Sequence, residues 1–282
     1  MDSFAPQRGP LAIKAWEQGH GMGRHTPFDT FTQSAFGIEP GGLLGSRLEA
    51  MATTLSLPRG RVAPIDRSLD QVVYVVSGAT KLAAEVSSDR EQIVAFHFAG
   101  DVVSIPADGI HSYLLTALVE TEMLVFPARE FFDRAAGDWA MARSLLERLP
   151  AALHRCRDKA VALGRKSAGE RLAGFLLAMA ERIGRSDQGS CILDLPMSRR
   201  DVADSLGLTI ETVSRQLGIL REMGLIETQG RSRIALHDLA ALAAAAGRRP
   251  DPQKTRVSIP EFDLDQCGDA PTRLIRQATG GK

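Results

Sequence analysis

Glu211, Ser214, Arg215 and Gly218 are spaced at i, i+3, i+4 and i+7. On a helix this spacing gathers them on one face. An arginine on such a face can clasp O6 and N7 of a guanine with both prongs of its guanidinium. A glutamate one turn earlier can accept from a cytosine amine. Carboxylates repel phosphates, so beside DNA Glu211 makes sense mainly as a specificity element. Ile210, Val213, Leu217 and Leu220 fall on the opposite side and must face a core.

The flanking residues show how such a helix would be held. Thr209 can cap its start, and Gly224 can end it at a left-handed position. Leu208 and Val213 stand where a hydrophobic staple would fix the entry angle. Just before lies a second short helix. Ser198 and Asp201 form a capping box, Val202, Ala203 and Leu206 give its apolar side, and Gly207 supplies the turn. Two short helices, the second carrying a polar strip, are what a major-groove reader needs. A plain helical hairpin with a solvated face is the competing reading. The two caps, the turn glycine, the staple and the polar strip together favour DNA over it.

Leu225–Thr228 and Ser232–Leu236 flank Gln229-Gly230 as a hairpin, the wing of a winged helix, with Ile234 and Leu236 turned inward. Arg231 and Arg233 at its tip could meet phosphate or simply be solvated. His237–Ala246 closes the domain as a helix. Upstream, Ser167 and Glu170 form another capping box, opening a helix to Ile183 whose core face is Leu172, Phe175, Leu176, Met179 and Ile183. Ile192–Leu195 reads as a short strand, and Gly164-Arg165-Lys166 as a hinge. Cys191 could sense oxidants if it were exposed and Arg199 or Arg200 lowered its pKa, but an inert thiol is the plainer reading.

Asp138–Leu163 reads as one long helix. Leu146, Leu149, Leu153, Cys156, Ala160 and Leu163 alternate three- and four-residue steps, the seam of a two-stranded coil. Arg148, Arg155, Arg157 and Lys159 flank it. The alternative is a core stripe packed on the preceding domain. Pro150 predicts a kink or restart. Cys156 on the seam is a small apolar filler.

From Leu43 to Phe132 the signals are those of strands: Val72–Val76, Lys81–Val86, Glu91–Phe98, Val102–Ile105, Ser112–Leu115 and Thr121–Phe126. Short strands with turn glycines and no helices between them predict a cupin-like β-barrel, or jelly roll. A cupin-type metal enzyme would need a His-x-His pair and a nearby glutamate. His97 and His111 stand alone, and His97 reads as a surface or hydrogen-bonded residue. Residues 1–42 are rich in Gly and Pro, but Trp16, Phe28, Phe31 and Phe36 argue for a loosely ordered arm docked on the barrel. His20 and His25 in this arm read as solvated.

The net charge is zero, so DNA binding must rest on a local strip rather than on the whole molecule. No apolar run approaches the ~20 residues of a membrane span, and the N-terminus lacks a signal-peptide pattern. The three cysteines, Cys156, Cys191 and Cys267, lack any CxxC spacing, which fits a reducing cytoplasm.

Met197–Asp201, Leu206-Gly207-Leu208 and Glu211–Arg215 resemble the DNA-binding domain of the Crp/Fnr superfamily of bacterial transcription regulators. Tyr74–Gly78 and Phe96–Asp101 resemble the effector domain of its Fnr-like branch. The resemblance implies that Glu211, Ser214 and Arg215 read bases in a TTGAT-type half-site, while Ser198, Arg199, Thr209 and Thr212 touch phosphates. It also implies a homodimer that works with RNA polymerase, here as an activator in oxygen-limited, nitrogen or redox-related metabolism.

Two departures narrow the branch. The cyclic-nucleotide branch has an arginine after its Gly-Glu pair, and here that place reads Ile110-His111-Ser112-Tyr113, so cAMP is not expected. Met1–Arg155 has no cysteine, so no thiolates are present there to hold an iron–sulfur cluster. What remains resembles the FixK-like regulators, with no cofactor expected. A haem- or small-ligand-gated regulator of the same fold stays open, and a cupin-type enzyme is the more distant rival. The expected architecture is α+β: an arm (1–42), a barrel effector domain (43–137), a dimerisation helix (138–164), a winged helix-turn-helix (165–247) and a flexible tail (248–282).

Overall fold

The computed structural model describes residues 26–39, 41–87, 90–187, 190–230 and 232–248. Trp16, His20, His25, Arg231, Cys267 and the tail beyond Arg248 lie outside these residues.

The described chain opens with α1 (Pro27–Asp29), a π-helix over Thr30–Phe36, and α2 (Leu43–Glu49). Seven strands follow: β1 (Thr53–Leu57), β2 (Gln71–Ser77), β3 (Ala79–Ser87), β4 (Arg90–Phe98), β5 (Val102–Ile105), β6 (Ser112–Ala117) and β7 (Thr121–Pro127). Then come α3 (Ala128–Ala136), α4 (Trp139–Arg165) and α5 (Ala168–Ile183). The C-terminal part comprises β8 (Arg185–Asp187), β9 (Ser190–Asp194), α6 (Arg199–Leu206), α7 (Ile210–Glu222), β10 (Ile226–Gln229), β11 (Arg233–Leu236) and α8 (Leu239–Ala245).

Strands β1-β7-β2-β5 form one antiparallel sheet and β4-β3-β6 another. Alternation gives each sheet two working faces. Val73, Val75, Val103, Met123 and Val125 of the first sheet meet Leu82 and Leu115 of the second, the core of the barrel. The other face of the first sheet, Val72, Tyr74, Leu124 and Phe126, packs against the N-terminal helices, α3 and Met141 of α4. The other face of the second sheet offers Ala79, Ala83, Ile93, Phe96 and Phe98 to the C-terminal domain, in one continuous core with Phe175, Leu176 and Val202. That shared core seats the helix-turn-helix on the barrel.

Several expectations need correction. Residues 26–38 are packed rather than loosely ordered. Phe31 is wholly buried, its ring 5.0 Å from Phe126, 5.0 Å from Phe36 and 5.2 Å from Tyr74. Arg148 lies over Phe36, and its guanidinium donates to the Ala35 carbonyl. Leu43–Glu49 and Ala128–Ala136 are helices, not strands. The second begins where Pro127 ends β7, and it buries Phe131 and Ala135, one turn apart. Pro150 neither breaks nor restarts α4. The carbonyl it leaves without an amide partner, that of Leu146, sits on an exposed face where water can serve it. The joint to α5 is shorter than the expected hinge, because Gly164 and Arg165 are still helical and only Lys166 and Ser167 connect the two helices.

Candidate nucleic-acid interface

The first of the two short helices, α6, begins at a complete capping box. The Ser198 amide donates to Asp201 Oδ2 over 2.8 Å, and the Asp201 amide donates to Ser198 Oγ over 3.2 Å. Gly207 ends it with φ +63°, the left-handed conformation its missing Cβ allows. Thr209 then caps α7, its hydroxyl accepting from the Thr212 amide at 3.2 Å. Val213, Leu217 and Leu220 are buried, and Leu208 and Ile210 pack at the edge of the same core. The helix is therefore fixed by its apolar side, as its periodicity required.

The polar side faces outward. Glu211 and Arg215 are exposed, and Ser214 and Gly218 are half-buried beside them. A Cβ built on Gly218 would meet nothing within 4 Å, so the strip has open room for a close-approaching backbone. Among the described residues no hydrogen-bond or ion-pair partner holds Arg215. Glu211 accepts at the helix start, where its own amide and the Thr209 hydroxyl hold its carboxyl below the usual carboxylate range. Ser198, Arg199 and Thr209 are exposed on the same side, and Thr212 is half-buried. An Arg199 guanidinium N–H reaches Ser214 Oγ at 3.5 Å, tying the two helices together across this surface. Arg233 is exposed on the wing and lies 3.9 Å from Asp194, which also pairs with Arg185. The result is an exposed surface of donors, Arg215 among them without a partner, with Glu211 at the helix start, suited to the edges and phosphates of a duplex.

Residues 170–245 match the model of the Crp-like helix-turn-helix domain. The chain is 36% identical over 190 residues to the nitrogen fixation regulation protein FixK of Rhizobium meliloti, spanning 67% of this chain and 82% of that one. The chain belongs to the Crp/Fnr family of transcription regulators. The transcriptional activator protein FnrL of Cereibacter sphaeroides is 33% identical over 187 residues, 65% of this chain and 75% of FnrL. Among solved structures, FixK2 from Bradyrhizobium japonicum matches with a TM-score of 0.59 at 35% identity, covering 69% of this chain and 96% of that one. These likenesses make the chain a DNA-binding regulator and not a cupin enzyme.

The seam residues of this Crp/Fnr chain divide. Leu146, Leu149 and Leu153 are 57%, 60% and 49% exposed, and Cys156 and Ala160 are also open. Leu163 instead turns toward Gly207, where its Cδ2 would lie 3.4 Å from an added Cβ. Of the flanking cations, Arg148 and Lys159 point into the protein rather than along the seam. No helix among the described residues is long and apolar enough to cross a membrane.

Of two titratable groups, Cys191 agrees with its plainer reading as an inert thiol and His97 departs from its own. Cys191 is half-buried, and burial raises its thiol pKa, the opposite of what an oxidant sensor needs. Its Sγ packs against Gly184, where a Cβ would approach it to 2.5 Å. His97 is not a surface residue. Its side chain is 15% exposed, Nε2 is buried without a partner, and Nδ1 lies 3.8 Å from Asp101, too far for a hydrogen bond. Burial pushes its pKa down to about 4, against the pull of Asp101. A depressed pKa contributes stability above the unfolded value of about 6.5, and that stability is lost as pH falls through 4. The loss is expected to reach at most about 3 kcal/mol. Urea unfolding of wild type and His97→Asn between pH 7 and 4 checks it: the gap between them should shrink as pH falls.

Sequence reasoning missed Lys81, Gln92 and Arg182, polar groups that join the barrel to the helix-turn-helix. The one signal was a charged Lys81 inside the run Ala79–Ala84, whose other residues are alanines, a leucine and Thr80.

Proposed function

We propose that the chain is a cytoplasmic homodimeric regulator that reads an inverted repeat of TTGAT-type half-sites. The observation that carries this reading is the free, exposed Arg215 on a helix whose apolar side is locked in the core. Glu211 and Ser214 stand with it as base readers, and Ser198, Arg199, Thr209, Thr212 and Arg233 as phosphate contacts. The open leucines of α4 are the dimer seam. A parallel pair of such helices sets two recognition helices about one duplex turn, ~34 Å, apart. Activation follows the name of the transcriptional activator protein FnrL, and a role in nitrogen metabolism follows that of the nitrogen fixation regulation protein FixK; contact with RNA polymerase and a link to low oxygen are our extension of these.

A second reading, gating by a small ligand, is favoured by one observation. A cavity of about 210 Å³ lies in the barrel, lined by Val62–Arg67, Ile105, Pro106, Asp108 and Tyr113–Leu115. Arg67 is its cation, but Glu85 at 2.6 Å and Asp108 at 3.4 Å already hold it, so an anionic ligand would have to displace two carboxylates. Neither His97 nor His111 lines the cavity, which argues against haem there. We therefore favour control without a bound effector.

Selection of wild-type protein on randomised duplexes tests the proposal. Two half-sites in inverted order, centred one helical turn apart and each holding a guanine, are expected. Enrichment of a single unrepeated motif, or of none, contradicts it.

A further inference from the structure

The helix-turn-helix sits on the barrel by more than apolar contact. Lys81 of β3 places Nζ 2.7 Å from Asp201 Oδ1, and both side chains are largely buried, 21% and 13% exposed. Gln92 of β4 donates to the Asp204 carbonyl at 2.6 Å. Lys159 of α4 donates to the Ile93 carbonyl at 2.6 Å, the Val94 carbonyl at 2.8 Å and Ser205 Oγ at 3.1 Å. Asp201, Asp204 and Ser205 are the i, i+3 and i+4 positions of one face of α6. Arg182 of α5 adds a fourth tie, donating to the Phe96 carbonyl at 2.7 Å, pairing with Asp101 and lying over the Phe98 ring.

Each of these groups loses water when the domains meet, which is unfavourable unless partners replace the water. Burial lowers the Lys159 pKa to about 8, a measure of how far its ammonium is desolvated. At Asp201, burial opposes the charge, but the hydrogen bonds from Lys81 and Ser198 outweigh it and keep the carboxyl below its usual range. Lysines placed this way fix geometry more than they add stability. The geometry they fix is useful: α6 is held on the barrel by one face, while Ser198 and Arg199 at its start remain exposed toward the duplex side. Because α6 and α7 share the core of Val202, Ala203, Leu206, Val213 and Leu217, fixing α6 fixes α7.

We propose that Lys81, Gln92 and Lys159 are positioning residues for DNA recognition, clamping α6 on the barrel so that Arg215 points correctly relative to the dimer axis. The clamp rests on the dimer reading above, since only in a dimer does orientation relative to an axis matter. The clamp leaves the reading face open, as a DNA-competent state requires.

The test compares two duplexes, one with the inverted TTGAT-type repeat and one with a single half-site beside scrambled sequence. Fluorescence anisotropy with the full chain is measured for wild type, Lys81→Met, Lys81→Arg and Lys159→Met, after circular dichroism melts show each to be folded. The expected result is a fivefold or greater loss on the repeat for Lys81→Met and Lys159→Met, with single half-site affinity within twofold of wild type. Lys81→Arg, which keeps the cation, should retain repeat binding. Equal losses on both duplexes would mean local damage to the reading helix and overturn the proposal. Unchanged binding would overturn it too, and tighter binding to the repeat would show the contacts to be an inhibitory latch instead. Sedimentation of the wild type reports the dimer reading separately: a monomer sinks that reading and this one with it, whereas a dimer with unaffected variants sinks the clamp alone.

Discussion

Arg215→Ala is expected to lose preference for the guanine of each half-site while the protein stays folded. Arg215 is exposed and holds no partner among the described residues, so its removal leaves no buried group unpaired. The fold should change by no more than about 0.5 kcal/mol, as at an ordinary surface position. The contact with DNA is another matter. A bidentate arginine–guanine pair is worth roughly 1–3 kcal/mol of discrimination, about fivefold to 150-fold in affinity at one half-site. Two such half-sites in a dimer compound the loss. Anisotropy titrations on consensus and guanine-substituted duplexes read it directly: the variant should bind both alike. Arg199→Ala is the contrast. As a phosphate contact it should weaken every sequence equally and flatten the salt dependence, leaving the preference intact.

Leu153→Glu carries the second large effect. Leu153 is 49% exposed on the single chain, so a polar side chain there keeps access to water and the fold should tolerate it. In a two-stranded seam it would place two carboxylates across the axis and forfeit two buried leucines. Burying the exposed half of each leucine contributes about 1 kcal/mol, roughly half the value for full burial, so with the charge repulsion the dimer should weaken by tenfold to a hundredfold or more. Sedimentation velocity at micromolar protein is expected to show a monomer, and binding to the inverted repeat should fall with it. Circular dichroism should be unchanged. A variant that remains dimeric would place the interface elsewhere on the molecule.

The site was more legible than its setting. Caps and turns are local chemistry, so Ser198, Gly207 and Thr209 announce their helix ends within a few residues. The apolar spacing of Val213, Leu217 and Leu220 likewise left only one face of α7 free for Glu211 and Arg215. Strand runs such as Val72–Val76 were equally plain. What could not be read were features decided between distant segments. Phe31 is one of several aromatics that marked the Gly- and Pro-rich arm as docked, but its partners Tyr74, Phe126 and Phe131 are distant in sequence and only the fold names them. Lys159 looks like a solvated flank of the α4 seam, and only the approach of β4 and α6 turns it inward. Alternation correctly set His97 apart from Phe96 and Phe98, yet it could not show that the opposite side was also covered. Pro150 predicted a kink or restart because local sterics disfavour it, but α4 runs through it without a restart.

The central claim is that Arg215, held outward by its helix, reads guanine in paired half-sites. It is tested most directly by selecting wild type and Arg215→Ala side by side on the same randomised duplexes and sequencing what each retains. Wild type should recover an inverted repeat with a fixed guanine in each arm, and the variant should recover the repeat's spacing with that base no longer fixed. If both recover the same motif with the guanine intact, another residue reads that base and the account of this surface is wrong.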